Sequence, residues 1–208
     1  MDICLKEIKE SIARFYDFTN KNVIIVGAGG GRLVGYARSA KKIMAVDCSK
    51  KAIEELKNVI INDNSQGKYE LVNDRFENID CNGDVVVFEF SLHEFPDVPR
   101  AIEHAFDMTK EVIIAEHASD SEWICLADED HNAKRVEEAI KDWEIKRKDE
   151  YCAIKEFEDY DDLKRKLGVD EEQSETHRIC EYRGRKEIKI QMKYRIVELG
   201  KKPNSAKA

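Results

Sequence analysis

The chain of 208 residues has no apolar run that approaches the ~20 residues needed to cross a bilayer. Near its start the segment LKEIKESIARFYDF is amphipathic and charged, unlike the apolar core of a signal peptide, so we expect a cytoplasmic protein without a membrane segment. Six cysteines lie far apart and none belongs to a C-x-x-C pair, which argues against a zinc knuckle or a redox dithiol. Internal repeats and low-complexity blocks are also missing.

Basic residues are fewer than acidic ones, with 35 lysines and arginines against 43 aspartates and glutamates. The net charge of −8 predicts an acidic surface on which non-specific binding of nucleic acid is not expected. Basic residues cluster only between Arg183 and Lys202, where a solvated strand face is the main interpretation and a local basic edge the alternative. A hydrophobic content of 42% at this length allows a single domain with a sizeable core, which we expect over residues 1–200.

The most informative segment is VIIVGAGGGRL, in which an apolar strand runs directly into glycines at alternate positions, Gly27, Gly29 and Gly31. Glycine has no Cβ and tolerates a positive φ, so the turn can be tight and its N–H groups can face a polar ligand. The dinucleotide fingerprint G-x-G-x-x-G would place its third glycine where this chain has Arg32. An NAD(P) site is therefore the weaker interpretation of this loop.

Acidic residues follow the next two predicted strands. IMAVD ends in Asp47, whose carboxylate could accept hydrogen bonds from both hydroxyls of a ribose. Ser49 then caps a predicted helix, which gives the order of strand, acid, cap and helix that a βαβ unit requires. YELVNDRF predicts a short strand that leads into Asp74 and Arg75.

With DVVVFEFSLHEFPD, from Asp84 to Asp97, these segments resemble the class I S-adenosylmethionine (SAM) dependent methyltransferases, in particular the small stand-alone type. The resemblance implies SAM as cofactor, its ribose at Asp47 and its adenine amino group at Asp74. It also implies methyl transfer to a small-molecule acceptor. The cofactor-binding residues that it implies are Gly27, Ala28, Gly29, Gly31, Asp47, Cys48, Asp74, Arg75, Glu89 and Phe90.

One position departs from the family pattern. The family usually has an acid two residues before the first glycine, and this chain has Ile25 there. Glu89 is an acid that could supply the negative potential instead, and it is also a weaker candidate for a catalytic base. The departure keeps open the alternative of a SAM- or nucleotide-binding domain without catalysis.

His93 is the best candidate for a catalytic base, because it follows the fourth predicted strand and its ordinary pKa near ~6.5 suits proton removal. A capping or packing role is the alternative for this histidine. Glu94 and Tyr16 are weaker candidates. No metal is expected, since Glu116 and His117 are adjacent along a strand and would point to opposite faces.

The alternation of strands and helices predicts a doubly wound α/β fold: a mostly parallel, seven-stranded sheet with helices on both faces and a C-terminal antiparallel pair. The predicted strands of the parallel part are Val23 to Val26, Ile43 to Val46, Tyr69 to Val72, Val85 to Phe90 and Val112 to Ala115. The predicted helices include Asp2 to Phe18, Gly31 to Ala40, Lys50 to Asn62 and one from Pro99 to about Met108.

Three further expectations concern the ends of the chain and the segment after the fifth strand. The N-terminal helix should occupy residues 1–20, and residues 201–208 should form a disordered tail. Residues 119–150 should cover the substrate site, because ligands bind beyond the carboxyl ends of the strands, where this segment begins. A turn around Arg183 to Arg185 should join the two strands of the final hairpin. The sequence carries no indication of the oligomeric state.

Overall fold

The computed structural model describes residues 3–170 and 178–202. Within these residues seven strands form one sheet, in the order β3-β2-β1-β4-β5-β7-β6. The strands are β1 (Asn22–Val26), β2 (Lys42–Val46), β3 (Tyr69–Val72), β4 (Val85–Glu89), β5 (Glu111–His117), β6 (Glu144–Asp159) and β7 (Lys186–Gly200). The helices are α1 (Ile3–Phe15), α2 (Lys50–Asn62), α3 (Val98–Met108), α4 (Glu122–Leu126), α5 (Asp130–Ala139) and α6 (Tyr160–Leu167).

Strands β1 to β5 run parallel, and β7 and β6 complete the sheet as antiparallel neighbours. The apolar run of β4 explains its central place, because all five of its residues are buried and strands covered on both faces need continuous apolar sequence. The strand order reverses at β1, which pairs with both β2 and β4. Such a switch point opens a crevice at the carboxyl edge of the sheet. The predicted fold class is thereby confirmed.

Helices cover both faces of the sheet. In α1, Cys4, Ile8 and Ile12 recur at helical spacing and pack on one face with part of α2. On the opposite face, α3 buries Ile102 and Ala105 against the other side of the strands. None of the described helices is long and apolar enough to traverse a lipid bilayer.

The helix predicted from Gly31 to Ala40 does not form. Gly29–Gly31 is a short 3-10 turn, and consecutive turns continue from there to position 39. Gly30 and Gly35 adopt positive φ values of 62° and 110°, which a right-handed helix cannot contain. The apolar side chains of the segment still reach the core, since Leu33 and Tyr36 are buried.

The C-terminal strand pair exists, but one of its strands was predicted in the wrong place. Residues Arg178–Tyr182 form a 3-10 turn, and Thr176 and His177 lie outside the described residues. The partner of β7 is β6, which begins at Glu144. Because β6 is an edge strand with ten of its sixteen residues exposed, its sequence is rich in charge and lacks a clear apolar alternation. The segment that can cover the site therefore ends before residue 144, where β6 begins.

Of the predicted C-terminal tail, residues 203–208 lie outside the described residues.

Gly27 joins β1 to the glycine loop and leaves no room for a side chain. Its φ is +73°, and a Cβ there would collide with the Ser91 side chain. We expect Gly27→Ala to lower the free energy of unfolding by about 2–4 kcal/mol, through the positive φ and the overlap. Urea unfolding followed by circular dichroism measures this change.

The matched control is Gly67→Ala, where a Cβ meets nothing within 4 Å and φ is not positive. This variant should leave the free energy of unfolding nearly unchanged. Equal effects of the two substitutions would contradict the tight approach of Gly27 to Ser91.

Candidate cofactor and acceptor site

Two adjoining pockets open at the carboxyl ends of the parallel strands. The β3-side pocket, of about 230 Å³, extends from the end of β2 to the residues after β3. The β5-side pocket, of about 290 Å³, extends from the glycine loop past the ends of β4 and β5. Both pockets are lined by Gly27, Asp47, Ser91 and Glu94. The crevice at the switch point is therefore one continuous cleft with two ends.

Asp47 lies where the two pockets meet and fixes the loops around it. Its Oδ2 accepts a hydrogen bond from the backbone N–H of Gly29 at 2.9 Å, and its Oδ1 accepts one from Ser49 at 2.8 Å. On the opposite side the Ser91 hydroxyl donates to the Val26 carbonyl at 2.9 Å. The cleft is thus formed by short, mutually bonded loops, with a half-exposed carboxylate at its centre.

The β3-side pocket has an acidic, exposed wall. The Asp74 carboxylate accepts hydrogen bonds from Asn78 Nδ2 at 2.8 Å and from the Arg75 backbone at 2.7 Å, and these lower the pKa of Asp74. Asp74 is consequently ionised at neutral pH. Phe95 supplies an apolar surface in the same pocket, and its ring contacts the buried ring of Phe76 edge-on.

Glu89 ends β4 inside the β5-side pocket and is 8% exposed. Burial raises the pKa of Glu89 to about 8, and the nearby Tyr36 hydroxyl and Arg32 guanidinium offset only part of this effect. The carboxyl group is therefore mostly protonated at neutral pH. A cation that entered the pocket would favour its ionised form.

His93 is held between two carboxylates. Its Nδ1 lies 2.8 Å from Glu116 Oε1 and its Nε2 lies 3.3 Å from Glu129 Oε2. Burial alone lowers the pKa of His93, but the hydrogen bonds to the two glutamates outweigh burial and raise the pKa to about 10. The ring already carries the proton at neutral pH. The role of His93 as catalytic base stays a prediction, and in this arrangement both of its ring nitrogens face carboxylates.

Glu116 is the buried partner in this cluster. Besides the His93 ring, it accepts hydrogen bonds from the backbone N–H groups of His93 at 3.1 Å and His117 at 2.9 Å. Burial raises the pKa of Glu116, yet the hydrogen bonds and the charge of His93 lower it further, so the net shift is downward. An ionised carboxylate therefore lies in the interior and is satisfied on both oxygens.

Apolar side chains form part of the wall of the β5-side pocket: Leu5 and Ile8 of α1, with Phe90, Trp123 and Met192. Polar and charged side chains, among them Arg32, Glu94 and Lys155, form the rest. Phe90 has a φ of +50°, a conformation that costs a bulky residue roughly 1–3 kcal/mol and that is concentrated at functional sites.

Comparison with known proteins agrees with this geometry. A family model described as a methyltransferase domain matches residues 24–112. No curated protein matches the chain in sequence. Among solved structures, the chain resembles the YcgJ protein of Bacillus subtilis at 12% identity and a TM-score of 0.71, over 96% of this chain and 100% of that one.

Two further solved structures are similar to the chain. One is a SAM-dependent methyltransferase from Aquifex aeolicus, with 12% identity and a TM-score of 0.58 over 92% of this chain and 88% of that one. The other is magnesium protoporphyrin IX methyltransferase from Synechocystis with bound SAM, with 12% identity and a TM-score of 0.54 over 95% of this chain and 77% of that one. At these identities the structures show the fold alone.

The family match covers the glycine loop, Asp47, Asp74 and the loop that holds His93. Residues 24–112 are therefore a methyltransferase domain, and the chain has the class I methyltransferase fold. The match supports SAM as the cofactor, and the NAD(P) interpretation is set aside.

The methyltransferase brings most of the predicted site residues into its cleft. Those that line it are Gly27, Gly29, Asp47, Cys48, Asp74, Arg75, Glu89, Phe90 and His93. Ala28 and Gly31 do not reach the cleft: Ala28 is buried beneath the loop, and Gly31 packs against Leu56 and Val59 of α2.

Sequence reasoning did not assign Arg32, His117 or Lys155 to the site, although all three line the β5-side pocket. Arg32 could have been found from its position directly after the third glycine. His117 was considered only as a metal ligand, and Lys155 lies on the strand β6 that was not predicted.

Because the pKa of His93 is raised above its unfolded value of about 6.5, its pairing stabilises the fold fully below that pH and loses its effect as the pH rises through about 10. We therefore compare the free energies of unfolding of the wild type and of His93→Gln. The advantage of the wild type should fall by several kcal/mol as the pH rises from about 6.5 to about 10. Urea unfolding at a series of pH values measures the difference. A difference that stays flat, or that grows with pH, would contradict the paired, cationic state of His93.

Proposed function

We propose that the methyltransferase transfers the methyl group of SAM to a small acceptor with a flat apolar part, bound in the β5-side pocket. The adenosine end of SAM would occupy the β3-side pocket, with the adenine amino group at Asp74 and the ribose hydroxyls at Asp47. The observation that carries the proposal is the continuous cleft at the switch point, in which the glycine loop and Asp47 border both pockets.

The acid that the family has before its first glycine is replaced, in this proposal, by Glu89. Ile25 lies opposite Val87 in the pairing of β1 with β4, and residues two apart on a strand share a face. Glu89 therefore shares a face with Ile25, one step closer to the cleft, and both residues line one small cavity beside Tyr36. The acidic group thus lies on the neighbouring strand and would face the methionine end of SAM.

The proposed acceptor follows from the walls of the β5-side pocket. Its apolar lining of Leu5, Ile8, Phe90, Trp123 and Met192 suits a flat apolar molecule.

Residues 119–139 form the cover of the acceptor end. Trp123 of α4 closes the β5-side pocket, and the Lys155 ammonium lies 3.4 Å from the centroid of its ring. His93 would act as a positioning residue here, because its contact with Glu129 joins the loop after β4 to the start of α5.

The proposal includes one functional domain over residues 1–200 and a cytoplasmic location. All six cysteines lie among the described residues and no disulfide joins them, which fits a reducing compartment. An acidic chain of net charge −8 is also a poor ligand for nucleic acid.

Isothermal titration of the cofactor-free protein with SAM, with S-adenosylhomocysteine (SAH) and with NADH tests the proposed function directly. We expect SAM and SAH to bind with micromolar affinity and NADH to give no saturable heat. Saturable binding of NADH, or no binding of SAM and SAH, would overturn the assignment of the cleft.

Replacing Asp47 by alanine removes the proposed ribose contact. Because each hydrogen bond to a charged group contributes roughly 1.5–3 kcal/mol, we expect SAM affinity to fall ~10- to 100-fold. Asp80→Ala, an exposed acid outside both pockets, is the matched control and should bind SAM normally. Equal affinities of the Asp47 variant and the wild type would show that the ribose binds elsewhere.

Proton release tests the role of Glu89. In the free protein its pKa is about 8, so a cationic methionine end should expel the proton on binding. We expect SAM affinity to rise by up to ~10-fold per pH unit below about pH 8 and to level off above it. Titration in buffers of different ionisation enthalpy counts the released proton.

Glu89→Gln should bind SAM with no such pH dependence, whereas Glu103→Gln on α3, outside both pockets, should keep it. Persistence of the proton release in Glu89→Gln would assign it to another group and would remove Glu89 from the proposed site.

A further inference from the structure

The His117 ring, at the end of β5, is a polar group without a partner in the cleft. It is 9% exposed and lines the β5-side pocket. Its Nδ1 is buried, and neither ring nitrogen makes a hydrogen bond to a described residue. Native proteins satisfy most buried polar groups, so an unpaired imidazole inside a binding pocket indicates a ligand that pairs with it.

The surrounding residues hold the ring in one place. The backbone N–H of His117 is fixed by Glu116 at 2.9 Å. The ring packs at a tilt on Phe90, with centroids 4.8 Å apart, and lies edge-on to the His93 ring at 5.9 Å. Phe90 in turn takes its strained backbone conformation at this point. The imidazole is therefore oriented before any acceptor arrives.

The neighbouring charges keep this imidazole neutral. Burial lowers the pKa of His117 to about 4, the ionised Glu116 and Glu129 oppose this shift, and the cationic His93 and the Lys155 ammonium reinforce it. The two histidines therefore differ in charge. His93 is protonated and contacts Glu116 and Glu129, whereas His117 is neutral and keeps a free nitrogen lone pair.

We propose that His117 is the catalytic base of the methyltransferase and that the acceptor is a hydroxyl group on a flat aromatic ring. The inference rests on the proposed function, because it takes the β5-side pocket as the acceptor site. The lining by Phe90, Trp123 and Met192 suits the ring, and the unpaired imidazole suits a hydroxyl, which brings a proton that must leave.

In the reaction the hydroxyl oxygen attacks the methyl carbon of SAM while the carbon–sulfur bond breaks, and that bond's electron pair remains on sulfur to give SAH. The new bond is carbon–oxygen. As it forms, the oxygen gains positive charge and its proton becomes strongly acidic, so the free lone pair of the His117 imidazole can accept it. His117 then passes the proton to solvent.

The test compares two phenols of similar shape with the full-length protein at pH 8. 4-Nitrophenol is largely ionised there and needs no base, whereas 4-methylphenol keeps its proton. Transfer is measured as methyl-labelled product extracted after incubation with methyl-labelled SAM. The proteins are the wild type, His117→Gln and the matched control His131→Gln, whose exposed histidine lies outside both pockets.

We expect kcat/KM for 4-methylphenol to fall by ~100-fold or more in His117→Gln, with little change for 4-nitrophenol, and both rates to be unchanged in His131→Gln. SAM affinity by isothermal titration should be the same in all three proteins. Equal losses on both phenols would mean a packing role, and no loss would mean no role; either result overturns the proposal.

The wild type separates the two levels of inference. SAM binding without transfer to either phenol would overturn the assignment of the acceptor and of His117 while leaving the cofactor site intact. A wild type that binds no SAM would instead overturn the proposed function itself.

Discussion

The ionised carboxylate of Glu116, buried at the end of β5, is the interaction on which the acceptor side of the cleft depends. It accepts hydrogen bonds from the His93 ring and from two backbone N–H groups. A buried charge of this kind is tolerated only when it is paired and fully hydrogen-bonded. The pairing makes His93 a cation, His93 in turn contacts Glu129, and the cation beside it helps to keep His117 neutral.

At the end of β4, too, burial determines whether an acidic side chain is charged. The chain has Ile25 where the family usually has an acid, and in the proposed function Glu89, on the neighbouring strand, takes the place of that acid. Burial keeps Glu89 protonated, which avoids an unpaired buried charge. Asp47 stays half-exposed and is satisfied by backbone donors.

Much of the architecture could be predicted because its signals are local. The glycines, Asp47 and the apolar run of β4 identify the parallel part of the sheet and one edge of the cleft without any long-range information. The errors have physical causes. The glycines that permit the tight loop also prevent the helix predicted after it. β6 was missed because it is an exposed edge strand, and its charged sequence lacks the alternation of apolar and polar residues that predicts a strand.

The sequence by itself determined the strand order of a βαβ unit, the position of the glycine loop and the presence of acids after β2 and β3, since each depends on residues close together in the chain. Only the tertiary structure decided the protonation states of Glu89, His93 and His117. Those states depend on burial and on distances between groups from β4, β5 and the start of α5. His93 and Glu116, for example, meet there although they are 23 positions apart, and no local sequence pattern predicts that contact.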